Sequence, residues 1–153
     1  MTPSKGLPVI LIADDNLADR LLAIEAFRQA RLHNPIHEVV DGEDLMDYLL
    51  RRGKYADKPL LADPVIILLD INMPKKNGLE ALREIKSNPK LQSIPVIMLT
   101  TSSAEKDIVR SYDLGVNSFV TKPVDFPEFL EAIKQLGEYW LELVALPEGV
   151  GKP

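Results

Sequence analysis

Three short apolar segments, each followed by polar residues, form the clearest pattern along the chain. They cover residues 9–13, 65–69 and 95–99. Because such short and continuous runs, rich in Val and Ile, are typical of strands buried on both faces, they predict a parallel sheet. Two weaker runs, residues 36–40 and 118–120, complete a set of five predicted strands.

Between these predicted strands, apolar residues recur at helical spacing. The stripes are Leu17, Leu21, Ile24 and Phe27; Leu45, Met46, Leu49 and Leu50; Leu79, Leu82 and Ile85; Ile108 and Tyr112; and Phe126, Phe129, Leu130, Ile133, Leu136, Trp140 and Leu143. Each stripe predicts an amphipathic helix with its apolar side against the sheet. Asp125 is placed to cap the last helix, and Pro127 is tolerated in its first turn. Five strands alternating with five helices predict a doubly wound α/β sheet.

Polar residues that directly follow the predicted strands mark a candidate site. Ligands of open α/β sheets bind beyond the carboxyl ends of the strands, which selects Asp14, Asp15, Asp70, Thr100 and Lys122. Asp70 lies beside the two other aspartates if the first and third strands are neighbours. Each residue alone is more often a turn residue or a helix cap, but all five together at one sheet edge favour a functional site.

The chemistry of this edge points to a metal ion and to phosphorus. Three packed carboxylates repel one another, which either raises one pKa or recruits a cation. Because the candidate ligands are all oxygen atoms, a hard divalent ion such as Mg²⁺ is favoured. A carboxylate held by a metal is a competent nucleophile toward phosphorus. A phosphoryl group on Asp70 would need a metal, a cation and a hydroxyl around it, and Lys122 and Thr100 supply the last two.

The amino-acid composition excludes several classes of partner and indicates in which compartment the protein is found. A chain of 153 residues is enough for one domain with its own core. The net charge of −5 argues against wholesale binding to nucleic acid or to an anionic membrane. The absence of cysteine excludes disulfides, thiolate metal sites and cysteine nucleophiles, and fits a reducing compartment. Since no apolar run reaches membrane-spanning length and no signal-peptide core is present, we expect a cytoplasmic protein.

The domain organisation follows from where the pattern begins and ends. We expect one domain over residues 8–146, with an extended last helix, between a flexible N-terminal tail (1–7) and a C-terminal tail (147–153). Residues 53–64, which include two prolines, form a longer connection before the third strand.

From about residue 9 to residue 143, the chain resembles the receiver domains of two-component response regulators. The matching motifs are Asp14-Asp15, Leu68-Leu69-Asp70-Ile71-Asn72-Met73-Pro74, Asn77-Gly78, Leu99-Thr100 and Lys122-Pro123. The resemblance implies a flavodoxin-like sheet with strand order 2-1-3-4-5. It also implies a phosphorelay signalling module that receives its phosphoryl group from a sensor histidine kinase and is not itself an enzyme.

The resemblance also implies residue roles. Asp70 is the phosphoacceptor, and Mg²⁺ is bound by the carboxylates of Asp15 and Asp70, the backbone carbonyl of Asn72 and, through water, Asp14. Lys122 pairs with the phosphoryl oxygens, and the Lys122-Pro123 peptide is a candidate for the cis form. Gly78 fits the turn after the acceptor loop, where a residue without Cβ is useful.

Two positions match the residues that switch conformation in the family. After phosphorylation, Thr100 would move toward the phosphoryl group and Phe119 would turn inward behind it. For Phe119 the role of an ordinary buried strand aromatic is equally open.

A narrower resemblance is to the regulators paired with bacterial phytochrome histidine kinases. It rests on residues 69–78, 53–64, 99–102 and 139–147, and it implies a phytochrome-type kinase as partner. It also implies a homodimer through the last helix and its extension. The extension region holds Trp140, Leu141, Leu143, Val144 and Leu146, more apolar surface than one helix face hides. The alternative is that these residues fold back over the core.

Other functions stay open beside this one. A Mg²⁺-dependent phosphohydrolase also uses an aspartyl phosphate, but such enzymes commonly place an acid two residues after the nucleophile, where this chain has Asn72. A pseudo-receiver that binds partners without phosphorylation is disfavoured by the retained acidic residues and Lys122. No helix-turn-helix segment or output domain follows the predicted receiver, so we expect no DNA binding, and action through a bound partner or onward relay.

Overall fold

The computed structural model describes residues 8–57, 63–101, 103–111, 113, 115–116, 118–122 and 125–140. Five parallel strands form one sheet in the order β2-β1-β3-β4-β5, with β1 at Ile10–Ala13, β2 at Ile36–Val39, β3 at Ile66–Asp70, β4 at Val96–Thr100 and β5 at Ser118–Thr121. The helices are α1 at Leu17–Gln29, α2 at Gly42–Leu50, α3 at Gly78–Ser87, α4 at Ser103–Ser111 and α5 at Phe126–Trp140, with a short 3-10 helix at Gly53–Tyr55. The predicted fold class and strand order are confirmed.

Two apolar layers, one on each face of the sheet, explain why the strands are continuously apolar. Leu11 and Ala13 of β1 point into the layer beneath α2, α3 and α4, whereas Ile10 and Ile12 point into the layer beneath α1 and α5. The same alternation continues along β3 and β4. Because helices cover both faces, neither set of side chains can be polar, as the sequence pattern predicted.

The helical stripe is confirmed for α3, whereas those of α1, α2 and α4 are partly wrong, since Leu50 of α2 is 37% exposed. Leu17 and Leu21 are 57% and 55% exposed, and Ile108 is 48% exposed. Helix α1 buries Phe27 as predicted, but together with Ala23 and Ala26, in the layer it shares with α5. The small alanine side chains let the two helices approach closely, so the buried face of α1 consists of Ala23, Ala26 and Phe27 and not of its leucines.

Side-chain caps fix where the helices begin after the strands. Asn16 accepts a hydrogen bond from the Asp19 N–H at 2.9 Å at the start of α1, and Asp41 accepts one from the Asp44 N–H at 2.8 Å at the start of α2. Helix α3 begins with a capping box between Asn77 and Glu80. These caps keep the loops at the carboxyl edge of the sheet short and defined.

The predicted cap of α5 is also present. Asp125 Oδ1 lies 3.4 Å from the Glu128 N–H, and the Asp125 carbonyl accepts from the Phe129 N–H at 2.9 Å. On the apolar face of α5, Phe129 and Ile133 are buried.

Several predictions fall on residues outside the described ranges. These are the tails at 1–7 and 147–153, the apolar extension at 141–146, Tyr112, Pro123 and the middle of the 53–64 connection. Among the helices that are described, none combines the length and the apolar character that crossing a membrane requires.

Candidate functional site

Three aspartates meet at the carboxyl edge of the sheet. Strands β1 and β3 are neighbours, with Ala13 paired to Leu69, so the residues that follow Ala13 lie beside Asp70. One carboxylate oxygen from each of Asp14, Asp15 and Asp70 lies within 4.8 Å of the others. Asp14 and Asp70 are only 1% and 2% exposed, whereas Asp15 faces solvent. The predicted acidic cluster is therefore assembled, with one side open.

Lys122 reaches this cluster from β5, across the intervening strand β4. Its backbone N–H donates to the Thr100 carbonyl at 2.7 Å, which places the residue at the sheet edge. Its Nζ lies 3.0 Å from Asp14 Oδ2, 3.2 Å from Asp70 Oδ2 and 2.9 Å from Asp19 Oδ2. A single cation is thus shared among three carboxylates.

Asp19 is a contact that the sequence analysis missed. It lies in the first turn of α1, where an acidic side chain also interacts favourably with the helix N-terminus. An acidic residue at that position, just after the Asp14-Asp15 pair, was the signal that could have identified it.

The electrostatics of the cluster raise the pKa of both Asp70 and Lys122. Burial, and then the charge of Asp14, raise the pKa of Asp70 to about 6, while Lys122 and the Asn72 N–H, 3.2 Å from Asp70 Oδ1, act in the opposite direction. For Lys122, burial disfavours the charged form, but the nearby carboxylates of Asp19, Asp14 and Asp70 outweigh it and raise its pKa. At neutral pH the cluster therefore holds a firmly charged Lys122 and a carboxyl group, that of Asp70, which ionises only slightly below pH 7.

Two buried oxygen atoms of the cluster lack hydrogen-bond donors among the described residues. Asp14 Oδ2 is close to Lys122 Nζ but not in hydrogen-bond geometry, and Thr100 Oγ1 has no partner. Since buried polar atoms are almost always satisfied, both atoms are suited to a ligand. A set of carboxylate oxygens with no nitrogen or sulfur ligand fits a hard divalent cation such as Mg²⁺.

The loop that follows Asp70 is held by two close backbone approaches. A Cβ on Gly78 would lie 2.2 Å from the Asp70 carbonyl oxygen, and the Gly78 N–H donates to the Ile71 carbonyl at 2.9 Å. A Cβ on Gly42, at the start of α2, would lie 2.0 Å from the Lys76 carbonyl oxygen. The reasoning that Gly78 needs to lack a Cβ is confirmed, whereas the contact with Gly42 was not foreseen.

Asn72 and Thr101 are joined by a residue that the sequence analysis did not consider. Asn72 Nδ2 donates to Glu105 Oε2 at 3.0 Å, and the Thr101 backbone N–H donates to Glu105 Oε1 at 2.6 Å. Glu105 lies in the first turn of α4, and a glutamate near a helix start is a recognisable capping signal.

Phe119 lies on β5, two strands away from Asp70. Its ring is half-buried and packs against the apolar layer beneath α2, α3 and α4. The Arg110 guanidinium carbon lies 4.9 Å from the centre of the ring, which is a cation–π contact. The predicted switch aromatic is therefore connected to α4 as well as to the core.

Comparison with known proteins gives one family and a group of similar relatives. Residues 10–134 match the family model for the response regulator receiver domain. Response regulator Rcp1 of Synechocystis sp. is 40% identical over 139 residues, which is 91% of this chain and 92% of that protein.

Solved structures agree with this match. The bacteriophytochrome response regulator RtBRR is 44% identical with a TM-score of 0.77, over 86% of this chain and 78% of that one. The phosphorylated cyanobacterial phytochrome response regulator RcpA is 40% identical with a TM-score of 0.76, over 91% and 97%. The Mn²⁺-bound form of Rcp1 is 38% identical with a TM-score of 0.74, over 90% and 96%. The narrower resemblance to phytochrome-associated regulators is confirmed.

Proposed function

The chain belongs to the response regulator receiver domain family, and on that basis we propose that it accepts a phosphoryl group on Asp70. The observation that carries this proposal is the assembly of three carboxylates within 4.8 Å of one another, together with Lys122 Nζ at 3.2 Å from Asp70. Asp14 and Asp70 are both buried beside Lys122, but only Asp70 is the last residue of the middle strand, β3.

The proposed reaction transfers a phosphoryl group from a nitrogen or oxygen atom of the donor to a carboxylate oxygen of Asp70. An Oδ atom of Asp70 forms a bond to phosphorus while the bond from phosphorus to the donor breaks. With a phosphohistidine donor, the P–N electron pair goes to the imidazole, which takes up a proton from water; with acetyl phosphate, the pair leaves with acetate. Because the pKa of Asp70 is about 6, most of the protein carries the ionised, nucleophilic form at pH 7 and above.

We assign the remaining groups of the site by what each can donate. Lys122 pairs with a phosphoryl oxygen, and the buried Thr100 hydroxyl, which has no partner among the described residues, donates to another. Mg²⁺ would be held by Asp15, Asp70, the Asn72 carbonyl and, through water, Asp14; when bound, it offsets the negative charge on the phosphoryl oxygens. The Mn²⁺-bound form of Rcp1 supports a divalent ion in this family.

The signal that follows is a conformational change or onward relay. We propose that Thr100 and Phe119 are its switch residues, since the hydroxyl is in the site and the ring contacts both the core and α4.

The names of RtBRR and RcpA support a phytochrome-type sensor histidine kinase as the donor. The apolar residues 141–146 support a homodimer through α5 and its extension. Four further points stay predictions from the sequence. They are a single domain over residues 8–146, no binding to nucleic acid, no binding to membranes, and a location in the cytoplasm.

The test of phosphoryl acceptance is intact mass after incubation with acetyl phosphate and Mg²⁺. Wild type and the exposed-site control Asp107→Asn should gain one labile phosphoryl group, and Asp70→Asn should gain none. Added EDTA should prevent the gain. If wild type stays unmodified under conditions that label Rcp1, the proposal is wrong and the pseudo-receiver becomes the better description. Turnover of a free phosphomonoester such as p-nitrophenyl phosphate would instead indicate the phosphohydrolase.

The dimer has a separate test. Replacing Leu143 and Val144 by aspartate should convert a dimer to a monomer in sedimentation equilibrium, because charged side chains cannot be buried unpaired in an apolar interface. A wild-type protein that sediments as a monomer at every concentration would contradict the homodimer.

A further inference from the structure

Glu105 bridges the two loops that border Asp70. Its Oε2 accepts a hydrogen bond from the Asn72 side chain at 3.0 Å, and its Oε1 accepts one from the Thr101 backbone N–H at 2.6 Å. Asn72 also donates its own backbone N–H to Asp70 Oδ1 at 3.2 Å. A second carboxylate is therefore connected to the acceptor carboxylate through a single residue, Asn72.

The hydrogen bonds around β4 indicate which way the Thr101 N–H faces. Along a strand, the N–H and C=O groups of successive residues face opposite neighbours. The Leu99 carbonyl accepts from the Ile71 N–H, on the side of β3, and the Thr100 carbonyl accepts from the Lys122 N–H, on the side of β5. Thr101 continues the alternation, so its N–H faces the β3 side, where Asp70 ends its strand.

That N–H is the kind of group that an arriving phosphoryl oxygen would use. Backbone N–H groups at fixed positions are effective donors to oxygens that carry negative charge during group transfer. In this structure Glu105 already accepts from the Thr101 N–H. Its own negative charge also lies at the rim of a site that must admit an anionic phosphodonor, and like charges at short range repel.

We propose that Glu105 is a positioning residue that restrains phosphoryl transfer to Asp70. In the unphosphorylated protein it holds the Thr101 N–H and the Asn72 side chain, and it releases the Thr101 N–H when a phosphoryl group arrives. Glu105 lies in the first turn of α4 and also accepts from Asn72 in the loop after β3, so its hydrogen bonds connect the acceptor site to α4. This inference rests on the proposed function of Asp70.

The test is the rate of labelling by acetyl phosphate, measured against donor concentration at low and at high ionic strength. Glu105→Gln removes the charge but keeps an oxygen acceptor for the Thr101 N–H, whereas Glu105→Ala removes both. Glu80→Gln is the matched control, since Glu80 accepts the Asn77 N–H at 2.9 Å in the corresponding cap of α3. Circular dichroism and thermal unfolding check that each variant is folded.

We expect Glu105→Gln to be labelled roughly three- to tenfold faster than wild type at low ionic strength, with the gain shrinking at high salt because screening weakens the repulsion. Glu105→Ala should keep part of its gain at high salt, since the Thr101 N–H is then no longer held. A merely structural cap would not give a salt-dependent rate.

The possible outcomes separate this inference from the proposed function. If wild type is labelled and Glu105→Gln is labelled no faster at low salt, the restraint by Glu105 is refuted and acceptance on Asp70 stands. An equal acceleration by Glu80→Gln would assign the effect to overall charge, which also refutes it. If wild type is not labelled at all, both the proposed function and the role of Glu105 are wrong.

Discussion

Replacing Asp70 by asparagine should stabilise the folded protein at pH 8 when divalent ions are absent. Asp70 is 2% exposed, and burial followed by the charge of Asp14 raises its pKa from 3.8 to about 6. In the unfolded chain the same carboxyl has an ordinary pKa near 4. Ionised Asp70 therefore disfavours the folded state, and an amide of nearly the same shape removes that charge.

The size and the sign of this effect follow from the two pKa values. A difference of about 2 units corresponds to roughly 3 kcal/mol, since one unit is about 1.4 kcal/mol. Between about pH 4 and pH 6, the folded state retains a proton that the unfolded state has released, so the contribution of Asp70 to stability falls as pH rises. Above about pH 7 both states are ionised and the full destabilisation remains. The advantage of asparagine is therefore largest above pH 7 and close to zero at pH 4.

The assay is urea unfolding followed by far-UV circular dichroism at pH 4, 6 and 8 in EDTA. Asp107→Asn, at an exposed position on α4, is the control and should leave the free energy of unfolding within about 0.5 kcal/mol of wild type. Saturating Mg²⁺ should reduce the advantage of Asp70→Asn, because the ion stabilises the folded wild type to which it binds. If Asp70→Asn is no more stable than wild type at pH 8, or has the same advantage at pH 4, then the buried charge of Asp70 does not destabilise the folded protein.

Three further predictions concern the loops of the site. Gly78→Ala should lower the free energy of unfolding by about 2 kcal/mol or more, because its Cβ would overlap the Asp70 carbonyl. Gly115→Ala has open space around the new Cβ but a φ of +72°, and should lower it by about 1 kcal/mol. Chemical denaturation compares the two variants. Asn77→Ala should lose about 1 kcal/mol in the same assay, since it breaks the capping box of α3, and no loss would contradict that account. Thr101 directly follows Thr100 at the site, and its side chain is bulkier than alanine, so it would restrict the access of water to a phosphoryl group. Thr101→Ala should therefore shorten the lifetime of the phosphorylated protein several-fold, as measured by decay of the labelled mass, and an unchanged lifetime would contradict this role.

The sheet and its functional edge could be predicted because their causes are local. A strand covered by helices on both faces must be apolar throughout, so Ile66–Asp70 and Val96–Thr100 were visible as runs that end in polar residues. The position of Asp70 and Thr100 at the carboxyl end then follows from the parallel arrangement of the strands. Strand neighbours did not follow from the pattern; their order came from the resemblance to a known family.

What could not be predicted depends on side chains that meet from different elements. Leu17 and Leu21 have the spacing of a buried stripe. The spacing does not show, however, that α1 packs against α5 through Ala23 and Ala26. The contact of Asp19 with Lys122 is formed between α1 and the end of β5, and that of Glu105 with Asn72 between α4 and the loop after β3. Such contacts become visible only when the elements are assembled.

The backbone contact between Gly42 and the Lys76 carbonyl has a consequence for building chimeric regulators. The loop after Asp70 rests against the first residue of α2, and Lys75 Nζ lies 3.8 Å from Asp41 Oδ2 beside it. A crossover between α2 and β3 that brings in a bulkier residue at position 42 would push this loop away from its neighbour, even if the whole acidic cluster came from one parent. Segments 41–44 and 70–78 should therefore come from the same parent whenever two receiver domains are recombined.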